Sequence, residues 1–501
     1  MALNDIIFVK GQGGLGRPLE GEDYVSGLLF YGNTPAGFGM SNVKQVFSIG
    51  EAEALGIDKN YTDNVAAVAT IEIDEFISGS AGYIGITVSE IGKVVDLGTY
   101  ATSVADSTGA ILITNLVAFI NSGTYSHGYS AIADGTTFDL YAPKKLGVYL
   151  NGQSPVITQN WDGNLIVGNL FANGTQSKNA IWHYHVSEYF RLQPKGNLFI
   201  GIFTPPMVYD YSDIVFMQDV ALGKIRQLGI WKDYYWNDGD TTAVQTQINI
   251  CDGNHKPLSA LISMDLTDMD IADLTDLNTE NNNKVSVVIG QDGGAEGYYL
   301  YQAYEHTISC LGAVLGAVSK ASVSTDIAWV SNFNMTNGIE LNKWMLGNGQ
   351  PSEYCSQGFL NNLDNKRYIF LINYVSIAGT YINDSHCAVT VSSDYAYIEN
   401  NRTIDKAIRG IYASVLPALN SPLILNADGT LSNTTVAYFT SLAEVNLIQM
   451  IRDVELSAQQ VTIDTTQNVL STGKLVIAVQ LLPIGVARAI QVNIGFVTKI
   501  S

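Results

Sequence analysis

The chain has few cysteines, few basic residues and no long apolar run. Its four cysteines (Cys251, Cys310, Cys355 and Cys387) are widely spaced and form no CxxC pair, so we expect neither a disulfide framework nor a zinc knuckle. Against 47 acidic residues stand only 26 Lys and Arg, which argues against nucleic acid or an anionic membrane as the main partner. The longest apolar helical candidate, 310–318, is about half a membrane span. The first residues lack the basic region of a signal peptide, so we expect a soluble chain that folds in a reducing compartment.

The composition is that of a well-folded protein of two to four domains. Of the 501 residues, 47% are hydrophobic, 15% are charged and 47 are glycines, which favours many turns and much β structure. The net charge of −21 is unevenly placed: residues 401–501 hold seven basic and six acidic side chains, so the surplus lies in residues 1–400. A near-neutral C-terminal unit would suit a surface that is buried in an assembly.

Periodicity predicts two helices and three strands in residues 401–501. Ile404, Ile408, Ile411 and Val415 form one apolar stripe, and a second helical stripe runs from 436 to 454. The period then changes to two, with strands predicted around 461–463, at 474–482 and at 490–496.

The rest of the sequence predicts two regions with different patterns of secondary structure. Residues 65–180 are expected to form strands with one helix around 112–121, while 181–400 alternate strands and helices as in an α/β layer. A strand is expected at 24–32, and Ser48 with Glu51 predicts a capping box. In the later part we expect strands at 197–203, 244–250, 258–264, 285–290 and 327–330, and helices at 213–230 and 297–319.

The predicted fold class is α+β and multidomain, with an α/β middle region, a β-rich inserted domain and a C-terminal unit of two helices and strands. We place an N-terminal arm strand and glycine hinge at 1–20, the region with the insert at 21–180, the α/β domain at 181–400 and the C-terminal domain at 401–501, which ends in a second arm strand.

The candidate chemical motifs are weak. Gly11, Gly13 and Gly16 fit G-x-G-x-x-G, but Pro18 prevents the helix that a dinucleotide site needs. His183, His185 and Glu188 could ligate a metal if they lay on a strand, although a partly buried histidine pair is the better interpretation. An acidic run (Asp265, Asp268, Asp270, Asp273 and Asp276) lacks the offsets of an EF-hand and is interpreted as a solvated loop or helix face. We therefore expect no catalytic residues, metal or cofactor.

The two ends of the sequence carry a more specific hypothesis. Ile6, Ile7, Phe8 and Val9 form one β-prone run, and Ile490, Val492, Ile494 and Phe496 alternate with less apolar residues in another. An unpaired strand exposes backbone donors and acceptors, so each run either completes a sheet of its own subunit or adds to a sheet of another.

Several segments resemble contractile tail sheath proteins of phages and related injection systems. In the C-terminal domain these are a helix with basic residues, the turn Asn426-Ala-Asp-Gly-Thr-Leu, and the runs Ile463-Asp-Thr-Thr-Gln-Asn-Val-Leu, Gly473-Lys-Leu-Val-Ile-Ala-Val and Leu482-Pro-Ile-Gly-Val-Ala-Arg-Ala-Ile. Weaker matches are Ser48-Ile-Gly-Glu-Ala-Glu-Ala-Leu-Gly-Ile, 285–292 and the 311–333 region, with Leu315-Gly-Ala-Val-Ser-Lys-Ala.

The resemblance implies a non-enzymatic structural subunit. Sheath subunits form stacked hexameric rings wound around an inner tail tube, and both terminal arms add strands to neighbouring subunits. Contraction to a more stable packing drives the tube through a target envelope without nucleotide hydrolysis. The implied partners are further copies, the inner tube, and baseplate and tail terminator proteins, with no direct nucleic acid and no membrane insertion. The implied location is a virion tail assembled in the host bacterial cytoplasm, or an injection or secretion apparatus.

Arg402, Lys406 and Arg409 lie on the polar side of the first C-terminal helix and are candidates for a tube-facing contact; the alternative is an ordinary solvated helix face. Two other functions remain open. One is an α/β enzyme or carbohydrate-binding protein, which loss of a small-molecule activity on changing His183 or His185 would favour. The other is a different virion tail component.

Overall fold

A computed structural model of the chain describes residues 23–59, 64–90, 93–175, 177–336 and 338–496. It begins with strand β1 (Val25–Tyr31), strand β2 (Val43–Val46) and helix α1 (Ile49–Ala54). The predicted capping box at α1 is confirmed. The Ser48 hydroxyl accepts a hydrogen bond from the Glu51 N–H at 3.3 Å, and the Glu51 carboxylate accepts one from the Phe47 N–H at 2.9 Å.

A β-rich domain with its own core follows. Its elements are β3 (Val68–Glu75), β4 (Gly82–Glu90), β5 (Lys93–Thr102), α2 (Gly109–Ser122), α3 (Thr124–His127), β6 (Ser130–Asp134), β7 (Thr137–Tyr141), β8 (Val156–Asn160) and β9 (Asn164–Ala172). The strands form two antiparallel sheets, ordered β6-β7-β3-β9 and β5-β4-β8. Leu112, Leu116 and Ile120 of α2 pack with Ile71 and Ile84 in a hydrophobic cluster separate from the main core.

Helices and strands then alternate. The elements are α4 (Asn179–Leu192), β10 (Asn197–Phe203), α5 (Asp213–Val220), β11 (Gln227–Tyr235), α6 (Asp240–Gly253), β12 (Ser259–Asp265), β13 (Asn281–Asn282), β14 (Val285–Val287), β15 (Gly290–Asp292), α7 (Glu296–Tyr304), α8 (Leu311–Lys320), β16 (Trp344–Leu346), α9 (Gln357–Asn365), β17 (Leu371–Ile372), β18 (Tyr381–Ile382) and β19 (Ala388–Val389).

The largest sheet has six strands in the order β14-β12-β11-β1-β10-β2. β1 pairs in parallel with both β10 and β11, β12 continues in parallel beside β11 and β14 beside β12, and β2 runs antiparallel to β10 at the edge. Every residue of β1 is buried, as expected for a strand covered on both faces. Because β1 precedes the β-rich domain and β10 follows it, that domain is inserted between two neighbouring strands of one sheet. The mixed α/β fold class is confirmed.

Helix α8 lies unusually close to helix α4. A Cβ atom added at Gly312 would lie 2.2 Å from the carbonyl oxygen of His185 and 2.7 Å from its Cα. Only a residue without a side chain permits this backbone approach, which lets the two helices pack as one layer on the sheet.

Two of the predicted elements are wrong in type. Residues 244–250 belong to helix α6 rather than to a strand, because the buried side chains Val244, Ile248 and Cys251 recur at helical spacing. Residues 327–330 form turns rather than a strand.

Two predicted helices are too long. The helix expected at 213–230 ends at Val220, where Leu222 and Gly223 adopt positive φ angles, and Gln227 begins β11. The helix expected at 297–319 is interrupted after Tyr304 by Glu305, which has a φ of 58°, so that α7 and α8 are separate.

The C-terminal unit contains α10 (Ile398–Val415), α11 (Asn433–Arg452), β20 (Leu456–Thr462), α12 (Val469–Thr472) and β21 (Ala478–Pro483). Both long helices were predicted, and the strand expected at 474–482 begins later. The predicted boundary between 400 and 401 falls inside α10, and that between 180 and 181 falls inside α4. Within the described ranges, no helix has the length and apolar character needed to cross a membrane.

Candidate assembly surface

Strands β20 and β21 form an antiparallel hairpin that packs on the C-terminal helices. Val461, Val479 and Leu481 join a hydrophobic cluster with Leu447 and Met450 of α11. No other strand of the described residues pairs with either outer edge of the hairpin. Unpaired edges present backbone N–H and C=O groups that a further strand can pair with.

Residues 484–496, called here the C-terminal arm, follow β21 and lie exposed. Ile490, Val492, Ile494 and Phe496 are 81%, 70%, 91% and 108% exposed. The strand predicted here is absent from the subunit, because no strand in the described part of the chain lies beside the arm to satisfy its backbone groups. In the described residues this segment completes no sheet of its own subunit. Its role between subunits stays a prediction.

The N-terminal arm lies outside the described residues. This applies to Ile6, Ile7, Phe8 and Val9, and to the glycines at 11, 13 and 16. Their predicted roles, as an inter-subunit strand and a hinge, stay predictions.

The start of the C-terminal arm is held by a group of side chains called here the Arg488 site. The Arg488 Nε donates to both carboxylate oxygens of Asp384 at 3.1 Å, and Nη2 donates to Glu399 and lies 3.2 Å from Asp326 Oδ2. The guanidinium carbon lies 3.4 Å from the centre of the Tyr397 ring. Three carboxylates and an aromatic face thus surround one planar cation, which is the geometry that a guanidinium favours.

The Arg488 site carries more negative than positive charge. Burial, reinforced by the carboxylates of Glu399 and Asp384, raises the pKa of Asp326 to about 6. Burial alone would lower the pKa of Arg488, but the attraction of Asp384 and Glu399 outweighs it and raises that pKa. The arginine therefore stays charged, while Asp326 gains a proton as the pH falls through about 6.

A second charged group, called here the Asp23 site, holds the other end of the described chain. The Asp23 carboxylate lies 2.7 Å from Lys406 Nζ and accepts a hydrogen bond from Arg409 Nη2, also at 2.7 Å. Lys406 also donates to Glu455 Oε1 at 2.6 Å. Burial tends to raise the pKa of Asp23, but Lys406 and Arg409 lower it overall. The site joins the first described residue, Asp23, to α10.

Arg402 corrects the prediction of a tube-facing contact. Only 5% of this residue is exposed, and its guanidinium donates to the carbonyl oxygens of Ala321, Ser322 and Asp23 at 3.2 Å. Burial lowers its pKa to about 10. Arg402 therefore binds the α/β body of its own subunit. Lys406 and Arg409 are partly exposed, so a tube contact through these two stays a prediction.

Sequence reasoning missed Asp23 and Arg488 because their partners are distant in the chain. Asp23 and Arg409 are 386 positions apart, and Arg488 and Asp384 are 104 apart. One sequence signal was available: Arg488 is the single charged residue between Lys474 and Lys499. A charge in so apolar a segment indicates a specific partner.

The two histidines lie on helix α4, not on a strand, so their side chains diverge. His183 Nε2 lies 2.9 Å from Glu53 Oε1, whereas the buried His185 accepts a hydrogen bond from the Gly312 N–H at 3.3 Å. Burial lowers the pKa of His185 to about 3. Glu188 binds Arg191. In the described residues no group of three or more His, Cys, Asp or Glu side chains is placed to hold a metal ion.

Four carboxylates of the acidic run (Asp268, Asp270, Asp273 and Asp276) are exposed, in agreement with its interpretation as a solvated loop, and Asp265 is the exception. Asp265 is buried and contacts His306 Nδ1 at 2.5 Å. Burial would raise the pKa of Asp265, but the His306 hydrogen bond contributes most to lowering it to about 2. Asp270 and Asp276 cap short 3-10 turns. These carboxylates order the loop that follows β12.

Two family models match successive parts of the chain. The DUF2586 N-terminal domain matches residues 234–386, and the DUF2586 C-terminal domain matches 394–501. Both DUF2586 domains match this chain. Together they span just over half of it, and the C-terminal match contains all of α10, the β20–β21 hairpin and the arm. The inserted domain lies outside both matches. No curated protein matches the chain.

Several solved structures are similar to this chain. The contracted helical sheath of the anti-feeding prophage (AFP) aligns with 15% identity and a TM-score of 0.46, covering 66% of this chain and 84% of that one. The AFP baseplate aligns with 15% identity and a TM-score of 0.43, covering 65% and 84%. The contracted sheath complex of an extracellular contractile injection system, PVC, aligns with 14% identity and a TM-score of 0.41, covering 63% and 80%.

Proposed function

We propose that the chain is the structural subunit of a contractile tail sheath. One observation carries the proposal: the same C-terminal unit has a hairpin with unpaired edges and an exposed arm with alternating apolar side chains. An added strand gains main-chain hydrogen bonds, and its alternation selects the register. The sequence resemblance to sheath proteins, which rests on the same residues, supports this function.

The arm has enough apolar surface to stabilise such a contact. Fully burying a side chain such as Ile, Val or Phe contributes about 1.5–3 kcal/mol, so the four exposed residues (Ile490, Val492, Ile494 and Phe496) would contribute about 6–12 kcal/mol before the cost of ordering the arm. A contact of this strength would keep neighbours joined while subunits move as rigid bodies.

In the proposed assembly, subunits form hexameric rings that stack helically around an inner tail tube. The rings end at a baseplate and at a terminator protein. Contraction moves the subunits from one packing to a more stable one and drives the tube through a target envelope. The free energy is stored in subunit packing, so no catalytic residue is required.

The test is electron microscopy of the chain expressed alone, with paired arm variants. We expect hollow, striated cylinders from the wild type and none from Val492→Asp/Ile494→Asp, because both charges would be buried when the arm docks. The matched control is Gln491→Asp/Asn493→Asp, which adds the same charge on the opposite side of an extended arm and should still give cylinders. Deletion of 489–501, or of 1–12, should also abolish them.

Two results would contradict the proposal. A wild-type chain that remains a small, uniform oligomer at high concentration in the presence of tube protein would not be a sheath subunit. Cylinders that form equally well from Val492→Asp/Ile494→Asp would show that the arm makes no inter-subunit strand.

A further inference from the structure

Helix α10 contributes to both charged sites at the chain ends. Glu399, in its first turn, belongs to the Arg488 site, and Lys406 and Arg409 belong to the Asp23 site. With a rise of about 1.5 Å per residue, the two sites lie about 10–15 Å apart along one rigid element. The N-terminal and C-terminal segments of the chain therefore start from positions fixed on the same helix.

The Arg488 site binds its arginine through several specific contacts. Asp384 receives two hydrogen bonds from one Nε, while Glu399 and Tyr397 fix the plane of the guanidinium. Glu399 and Asp326 are only 3% and 7% exposed, so departure of Arg488 would leave buried carboxylates without their cation. Uncompensated buried charge is strongly unfavourable, which opposes release of the arm.

Helix α10 is in turn attached to the α/β body by buried polar contacts. Arg402 donates to carbonyl oxygens after α8, as described above. Lys284 Nζ lies 2.8 Å from Asp405 Oδ1 of α10 and 2.7 Å from Asp252 Oδ2 of α6. Lys284 and Asp405 are both buried. The helix therefore connects both chain ends to the sheet core.

We propose that α10 anchors both terminal segments to their own subunit, through the Asp23 site and the Arg488 site. Of the described residues, the segment after Arg488 is then the length that can reach another molecule. The anchoring is a property of the single subunit. Only its mechanical consequence rests on the proposed function: a pull on either segment by a neighbour is transmitted through α10 to the α/β body.

Limited trypsin digestion of the full chain, diluted below the concentration at which it assembles, tests the C-terminal anchor. Trypsin cleaves after arginine and lysine, so an Arg488 held in its site is protected although the surrounding arm is exposed. Lys474, on an exposed loop, is the internal reference. We expect Glu399→Gln/Asp384→Asn to speed cleavage after Arg488 about tenfold or more relative to Lys474, the factor for loss of a charge-assisted hydrogen bond.

The matched control is Glu444→Gln, which removes one negative charge from α11 of the same unit and should leave the cleavage ratio unchanged. Cleavage of the wild type after Arg488 as fast as after Lys474 would overturn the proposed anchor. An unchanged ratio of these two cleavage rates in Glu399→Gln/Asp384→Asn would also overturn it. Protection that appears only at high protein concentration would also overturn it, because the site would then hold an arginine of a second copy. Thermal unfolding confirms that each variant is folded.

A double-mutant cycle tests the N-terminal anchor. Asp23→Asn and Arg409→Gln should each lower the thermal midpoint, and the double variant should lower it by less than the sum, because the two side chains hold each other. Additive effects would overturn this half of the proposal. Neither experiment requires assembly, so failure to form cylinders and failure of the anchors are distinguishable.

Discussion

Replacing Arg402 with methionine separates a structural role in the subunit from a contact with another chain. Methionine keeps much of the apolar stem but removes the donors that bind Ala321, Ser322 and Asp23. Each buried carbonyl left without a donor costs about 1–3 kcal/mol. Burial of the charged guanidinium is itself unfavourable, as its lowered pKa of about 10 indicates. Removing that charge therefore offsets part of this loss.

The expected net loss in the free energy of unfolding is about 3 kcal/mol. For a domain of about 150–250 residues this lowers the thermal midpoint by about 6–12 °C. The matched variant is Arg409→Met on the same helix, which breaks a partly exposed pair and should cost about 1 kcal/mol or less. Calorimetry of the dilute, unassembled subunit measures both. Equal midpoints for the two variants, with assembly lost only in Arg402→Met, would refute the assignment of Arg402 to the subunit interior.

Two further predictions concern pH and helix packing. Because the Asp326 pKa of about 6 lies above the ordinary value of 3.8, the folded subunit binds this proton more readily than the unfolded chain. Its stability should therefore gain from this group as the pH falls through 6 towards 4, and Asp326→Asn should remove about 1–3 kcal/mol of that gain, measured as unfolding midpoints at pH 7.5 and 5. Identical profiles of stability against pH for the wild type and Asp326→Asn would contradict the raised pKa of Asp326. Gly312→Ala should destabilise by about 1–3 kcal/mol because its Cβ meets the His185 backbone, whereas Gly50→Ala, with open space around it in α1, should be neutral or stabilise by up to about 1 kcal/mol. A tolerated Gly312→Ala in thermal denaturation would show that the helices can separate without loss.

Local patterns predicted the elements whose burial is uniform or periodic. β1 and β10 are continuous apolar runs, and α11 carries a helical stripe of which Phe439, Leu447 and Met450 are buried. Helix α10 was also predicted, but its stripe residues are not buried: Ile404, Ile411 and Val415 are partly exposed and Ile408 is exposed. The strand predicted at 244–250 was wrong because β-branched residues lie on a helix there. The run has the composition of a strand, but in α6 it buries one helical face. The alternative of a metal site at His183 and His185 depended on a strand, because residues two apart share a side of a strand but not of a helix; the preferred interpretation, a buried histidine pair, agrees with their burial.

The charged sites were less predictable than the fold. The sequence shows that Arg402, Lys406 and Arg409 share a helix, but whether that face meets solvent depends on Asp23 and on the segment after α8. Such contacts arise from tertiary packing across several hundred residues. The alternation in the arm is local and therefore visible in the sequence, but only the structure shows that the arm pairs with no strand among the described residues of its own subunit.

The position of the inserted domain has a consequence for how the chain folds. The central pair β1 and β10 aligns Val25 with Asn197, so a long stretch of chain must be closed before these strands meet. The two ends of the insert are joined directly, because Val65 and Thr175 exchange backbone hydrogen bonds at 3.2 and 3.1 Å. Since the entropic cost of closing a loop rises with its length, an insert that folds first leaves a shorter connection to order before β1 and β10 pair. During synthesis the insert emerges before β10, so the nascent chain can complete it early, which shortens the time for which the β1 edge stays unpaired once β10 has emerged.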